Sequence, residues 1–175
     1  MVRFTVAVEV ELDPMSNSAL VAQSILEYLV TPSHLEQYLM LKNIQEEGHT
    51  TDPGPQALSR YHFAATACHR GTFGSRRSKV EMSYVQDSVS PEVTWKFITP
   101  HTKYFSKAIR VVEIEHGNHP VLQVTCDVVV DYKLNLLASC SGVEYEMQRN
   151  HVALLDAMKL HIEASQRKAF HGKKG

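Results

Sequence analysis

The order in which two periodicities appear along this chain constrains its fold more than any single motif does. Phe4, Val6, Val8, Val10 and Leu12 alternate with Thr5, Ala7, Glu9 and Glu11, the period of two that marks a strand with one buried face. The same alternation returns near the other end, where Leu122, Val124, Cys126, Val128, Val130 and Tyr132 oppose Gln123, Thr125, Asp127, Val129 and Asp131. Helical spacing takes over after the first strand and again at the C-terminal end. A strand, a helical stretch, a run of strands and a terminal amphipathic helix therefore follow one another, and the last helix has apolar sheet surface to cover.

The first strand ends at Asp13-Pro14, and Ser16 is placed to cap a helix bearing Leu20, Val21, Ile25, Leu26 and Leu29. Pro32 interrupts that helix. Ser33 and Glu36 then form a capping box for a short second turn, after which Leu41 to Glu47 reads as a strand. Gly48 to Pro55 reads as a loop, followed by strands over 58–68, 79–87, 92–99, 107–115 and 120–132. Gly71 to Gly74, Ser90-Pro91, Pro100 and Gly117-Asn118 supply the turns, the last a hairpin pair because both residues tolerate positive φ. Ser141 and Glu144 open the final helix, which carries Met147, His151, Leu154, Met158 and Ile162 on one stripe. A single domain over 1–168 and a frayed basic tail over 169–175, starting to loosen near Arg167, are expected.

Strands joined by hairpins make an antiparallel sheet, and a sheet with one apolar face needs a helical layer over it. The expected class is α+β: a curved antiparallel sheet of about seven strands gripping a long C-terminal helix, the START-like helix-grip arrangement. Curvature leaves room for an apolar ligand between the two layers.

Composition narrows the function. At 175 residues and 43% hydrophobic content the chain can bury one core, and a formal charge of −1 gives it no global attraction to nucleic acid. No apolar run reaches the length of a membrane span, and no charged-then-apolar leader precedes Arg3, so a soluble protein without a cleaved secretory signal is expected. Cys68, Cys126 and Cys140 have no C-x-x-C spacing, and Cys126 lies in the apolar phase of its strand as a buried free thiol. Ten histidines form no H-E-x-x-H pair, and His116 with His119 offers too few ligands for zinc. There is no nucleophile elbow and no phosphate loop, so neither a metal, a cofactor nor catalytic residues are expected.

Two features point to a ligand and a surface. His151 sits on the apolar stripe of the last helix, facing the interior. Between Gly71 and Lys79, Phe73 stands beside Arg76, Arg77 and Lys79, a combination suited to a loop that docks on anionic lipid headgroups, at about 1 kcal/mol per cation.

The stretch Tyr84-Val85-Gln86-Asp87-Ser88-Val89-Ser90-Pro91 resembles the Y-V-x-E/D-x-S-x-V-D-P segment of the PRELI/slowmo group of mitochondrial lipid-transfer proteins. Pro32-Ser33-His34, Asn43-Ile44, Asp52-Pro53 and Leu58-Ser59-Arg60 resemble the group's Y-P-N-P to D-P-x-G-x-L-x-x-R segment, and Asn150 and Ala157-Met158 fall in order on the last helix. The resemblance, diffuse but nearly full length, implies a non-enzymatic carrier of phospholipid between mitochondrial membranes. It implies phosphatidic acid or phosphatidylserine as cargo, transient membrane contact, a small helical partner with twin C-x9-C motifs, and the intermembrane space, with the cytoplasm as the alternative compartment. Two lysines of the group fall at Ala65 and Ala153 here, which leaves Arg60, Asn150 and His151 as headgroup ligands and Met147, Leu154, Met158, Val124 and Val128 as acyl-chain contacts. A polyketide cyclase or aromatase using His151 or His62 as a base, and a quinone-binding module, are the alternatives on the same scaffold.

Overall fold

The computed structural model describes residues 1–39, 41–53, 58–71, 74–87, 92–98, 102–132 and 140–171, without the side chains of 67–71, 74–78, 87, 102–104, 132, 140–143 and 170–171. Ten elements follow in order: β1 (Val2–Glu11), α1 (Ser18–Val30), α2 (Pro32–Tyr38), β2 (Leu41–Thr51), β3 (Leu58–Gly71), β4 (Gly74–Asp87), β5 (Glu92–Ile98), β6 (Thr102–His116), β7 (His119–Tyr132) and α3 (Cys140–His171). The strands form one antiparallel sheet in the order β1-β7-β6-β5-β4-β3-β2. Only the placement of β1 beside β7 departs from a simple meander, and the two helices between β1 and β2 carry the chain from one sheet edge to the other. The fold class expected from the pattern order is the one observed.

One face of this sheet is dry. Phe4, Val6 and Val10 of β1, Val124, Cys126, Val128 and Val130 of β7, and Ile109 and Val111 of β6 are all buried. Against them α3 sets His151, Leu154, Leu155, Met158 and Ile162, spaced by three and four residues so that they share one stripe. Val21, Ala22, Ile25, Leu26 and Leu29 of α1 and Leu35 of α2 close the core from the side. Each fully buried large apolar side chain contributes roughly 1.5–3 kcal/mol, so the alternation in β1 and β7 and the stripe on α3 dominate the folding energy.

The end of β1 is clasped to α3. Glu163 Oε1 accepts the Glu11 N–H at 3.1 Å, Gln166 Oε1 accepts the Asp13 N–H at 3.0 Å, and Gln166 Nε2 donates to the Glu11 carbonyl at 2.9 Å. Glu163 and Gln166 are themselves buried, and these bonds satisfy backbone groups where the strand runs out of partners.

Several local expectations change. Asn17, not Ser16, caps α1, its side chain accepting the N–H groups of Ala19 and Leu20. Ser33 lies inside α2, whose N-cap is Thr31, and Glu36 accepts the Ile44 N–H instead of closing a capping box. Ser141 likewise lies inside α3, which begins at Cys140 and stays helical through His171, past the expected onset of fraying. Gly48 to Thr51 belongs to β2, whose register against β3 shifts twice, with Asn43 at φ 53°. The expected docking loop is mostly hairpin, since Gly71 pairs with Gly74, Cys68 with Arg77 and Thr66 with Lys79. At Gly117-Asn118 only Gly117 has positive φ, at 69°, the II′ and not the I′ pattern.

Candidate interior ligand site

Register brings one residue from each strand into a single row across the inward face of the sheet. His49 of β2 pairs with Tyr61 of β3, Tyr61 with Tyr84 of β4, Tyr84 with Trp95 of β5, Trp95 with Lys107 of β6, Lys107 with Val128 of β7, and Val128 with Phe4 of β1. The rings of this row touch in sequence: His49 to Tyr61 at 4.2 Å, Tyr61 to Tyr84 at 4.4 Å and Tyr84 to Trp95 at 4.6 Å between centroids. Burial deepens along it, from exposed His49 through half-buried Tyr61 to Trp95 at 0% and Lys107 at 1% exposure. Phe63, Phe97 and Phe105 extend the aromatic wall to one side.

Lys107 is the anomaly in that row. It occupies the inward phase of β6 with Phe105, Ile109 and Val111, and its Nζ has no hydrogen-bond partner among the described residues. The Nζ lies 5.7 Å from the centre of the Trp95 ring. A buried cation–π contact contributes about 2 kcal/mol, whereas removing an ammonium from water costs several, so the ring does not stabilise the charged form enough. Burial accordingly pushes the Lys107 amine below its ordinary value, with a small opposing effect from Cys126.

Two further buried polar atoms lack partners among the described residues, Trp95 Nε1 and His151 Nε2. His151 comes from α3, its ring edge-on to Phe4 at 5.5 Å, and its Nδ1 lies 2.7 Å from the Met147 carbonyl. A carbonyl only accepts, so Nδ1 carries the proton and Nε2 presents a lone pair. Burial, then the nearby Lys107 charge, hold His151 down at about 3 against the opposing bond to Met147, and the ring is neutral at physiological pH. Cys126, in the next inward position of β7 from Val128, is pushed up to about 11 chiefly by burial, and Tyr84 is also raised by burial. The interior thus offers two donors, an indole N–H and an amine, and one imidazole acceptor, within aromatic and aliphatic walls. Buried polar groups are satisfied in the great majority of cases, so these three, without partners among the described residues, are the candidate polar groups of an interior site.

The residues expected from sequence to bind a headgroup are only partly brought together. His151 is in the interior and Asn150 is half-buried beside it on α3. Arg60 is not there: it has the opposite parity to Phe63 and Ala65 in β3, faces the outer side of the sheet, and pairs with Asp52 at 3.0 Å. Val124, Val128, Leu154 and Met158 are buried in the core and Met147 packs against it. Lys79 is exposed on β4; Arg76 and Arg77 lie in the same strand, and Phe73 falls outside the described residues. Sequence reasoning missed Lys107 and Trp95. The available signal was a lysine in phase with Phe105, Ile109 and Val111.

A surface cleft of about 220 Å³ lined by Glu11, Asp13, Glu163, Gln166 and Arg167 lies at the β1–α3 clasp, where the hydrogen bonds described above engage several of its polar groups. Among the described residues no three His, Cys, Asp or Glu side chains converge to hold a metal ion, and no helix is long and apolar enough to cross a membrane. His116 is exposed and engages Glu9 at 2.8 Å.

No protein-family model matches the sequence, and no curated protein does. Solved structures do share its architecture. A protein of Thermus thermophilus superposes with a TM-score of 0.59 at 11% identity, covering 93% of this chain and 98% of that one. The Zhui aromatase/cyclase of a Streptomyces species gives 0.58 at 14% identity, over 92% and 93% of the two chains. An 18 kDa Caulobacter crescentus protein gives 0.53 at 14%, over 98% and 99%. Together with the seven-stranded sheet and its long C-terminal helix, these place the chain in the START-like helix-grip fold class. The unpartnered atoms of Lys107, Trp95 and His151 lie on the inward face of that sheet and on that helix.

Proposed function

We propose that this protein is a non-enzymatic carrier that encloses one phospholipid between the inward sheet face and α3 and moves it between mitochondrial membranes. The observation that carries this reading is the set of three buried polar atoms without partners among the described residues, in an otherwise apolar interior. Lys107 Nζ and Trp95 Nε1 are donors suited to phosphate or carboxylate oxygens, and an anionic headgroup would supply the charge that a buried ammonium otherwise lacks. Lys107 takes the place of the cations absent at Ala65 and Ala153, so phosphatidic acid or phosphatidylserine is the proposed cargo. His151 and Asn150 complete the headgroup site, and Met147, Leu154, Met158, Val124 and Val128 contact acyl chains.

The β3–β4 hairpin, with Phe73, Arg76, Arg77 and Lys79, is the proposed point of transient membrane contact. By its resemblance to the PRELI/slowmo group the carrier acts in the intermembrane space with a small twin C-x9-C partner. Native mass spectrometry of the protein after incubation with mixed liposomes tests this. A one-to-one phospholipid adduct, diminished in Lys107→Met, is expected; a bare protein refutes it.

One observation favours a second reading, a cyclase or aromatase. His151 presents an Nε2 lone pair without a partner among the described residues, the geometry of a proton acceptor. A Streptomyces aromatase/cyclase shares the fold. Dehydration of a poly-β-keto thioester by the purified protein, abolished in His151→Leu, would select it.

A further inference from the structure

We infer that Lys107 is a nucleophilic amine that holds hydrophobic aldehydes or ketones in the interior site as reversible imines. The inference rests on the interior ligand site proposed above and adds a second ligand class to it. Lys107 is 1% exposed, its Nζ has no hydrogen-bond partner among the described residues, and its register partners across the sheet are Trp95 and Val128. An amine in such surroundings sheds its proton far more readily than a surface lysine and keeps a lone pair to donate.

Two residues of the same interior offer a donor and an acceptor to a bound carbonyl compound. Trp95 Nε1–H, on the adjacent strand, has no acceptor among the described residues and can donate to the carbonyl oxygen. His151 Nε2 is an acceptor without a partner among the described residues, because Nδ1–H is committed to the Met147 carbonyl. The Lys107 lone pair attacks the carbonyl carbon and the C=O π pair moves to oxygen. A proton then passes from the nitrogen to the oxygen to give a neutral carbinolamine. Departure of the hydroxyl as water, with one proton taken up by the leaving oxygen and one lost from nitrogen, leaves the C=N bond. The net change is one carbonyl and one amine condensed with release of one water, with no oxidant or reductant consumed. The apolar walls favour this outcome by excluding the water that would reverse it. Tyr84, Trp95, Phe97 and Phe63 favour a flat, conjugated carbonyl compound over a small polar one.

Reductive trapping tests the inference. Ligand-free full-length protein is incubated at neutral pH with a biphenyl aldehyde and sodium cyanoborohydride, then mapped by peptide mass spectrometry. Lys107 should form a secondary amine at a rate about a hundredfold or more above the exposed Lys42, Lys79, Lys96 and Lys168, which lack its apolar surroundings. Labelling spread evenly over the lysines overturns the inference, and this comparison within the wild-type protein needs no variant. Lys107→Met should abolish the specific product while leaving surface labelling unchanged; undiminished single-site labelling in that variant also overturns it. A phospholipid adduct without Lys107 labelling sinks the imine alone. Lys107 labelling in a protein that takes up no phospholipid sinks the carrier reading alone.

Discussion

Replacing Lys107 by methionine should stabilise this protein, although it deletes the most polar feature of its interior. Folding either buries an ammonium, at several kcal/mol after relaxation, or releases its proton. Release costs about 1.4 kcal/mol for each pH unit below the ordinary lysine value of 10.5, which is roughly 5 kcal/mol at pH 7. Both routes lead to a similar penalty, and neither is relieved by a hydrogen bond from the described residues. Methionine keeps an unbranched stem of similar length and needs no partner. Lys107→Met should therefore gain about 3–5 kcal/mol, or roughly 6–20 °C in Tm for a domain of this size.

The sign of the pH dependence is a second arm of the same experiment. The Lys107 value is lowered in the fold, so the unfolded chain binds more protons at this position and wild-type stability rises with pH, by up to about 1.4 kcal/mol per unit, until the ordinary lysine value is reached. His151 acts in the same sense, its contribution being present above 6.5 and lost as pH falls toward about 3. Cys126 and Tyr84 act in the opposite sense at alkaline pH, because both are held protonated in the fold. Urea unfolding between about pH 7 and 8.5 isolates Lys107 from these neighbours. Trp95 is the chain's one tryptophan and reports on it directly. With protein freed of ligand, the variant should show a higher midpoint and a flatter pH slope. An equal or lower midpoint with an unchanged slope would mean that the amine is satisfied in the folded protein, and Lys107 would no longer mark a ligand site.

Two other substitutions separate surface from site. Arg60→Ala breaks an exposed pair with Asp52 and should cost under about 1 kcal/mol, leaving the phospholipid occupancy seen by native mass spectrometry unchanged; a loss of cargo would restore Arg60 to the headgroup site. Gln166→Ala removes both hydrogen bonds from that side chain to the end of β1 and should cost about 1–3 kcal/mol, with faster amide exchange at Asp13; unchanged exchange there would show that the clasp does not hold the strand end.

The sheet was legible where one face is buried and the register is simple. In β1 and β7 every second side chain is apolar, and all of β1 pairs with 121–130 of β7 without a shift. It was less legible in β2, where Gly48 carries a turn signal but lies in a strand whose register shifts at Lys42/Gln45 and Glu46/Gly48. Pairing with β3 overrides local propensity there, as it does for Gly74 to Lys79 in β4. The site was half legible. His151 was found because a stripe of α3 is a local pattern. Arg60 was misplaced because strand parity depends on which neighbours turn inward, and Tyr61 and Phe63 decide that. Lys107 was passed over as the start of a strand, although its phase with Ile109 and Val111 placed it inside.

A lysine at the centre of a sheet, where methionine would fit, is a standing cost to stability, and such costs persist where function needs the group. The chemistry of the interior limits what that function can be. An anionic ligand stabilises the protonated amine, so its binding draws a proton toward Lys107. A carbonyl ligand uses the same amine only when it is neutral, and releases water. Both exploit one property, a lysine whose burial disfavours the charged form. Trp95 on one side and His151 on the other, a donor and an acceptor each without a partner among the described residues, accommodate either ligand because one offers a hydrogen and the other a lone pair. The outer face of the sheet has nothing equivalent among the described residues: Arg60, Arg110 and Asp127 there are already paired, and solvent screens them. The polar groups left without partners among the described residues therefore lie inward, on α3 and on the row that carries the aromatic stack to Lys107.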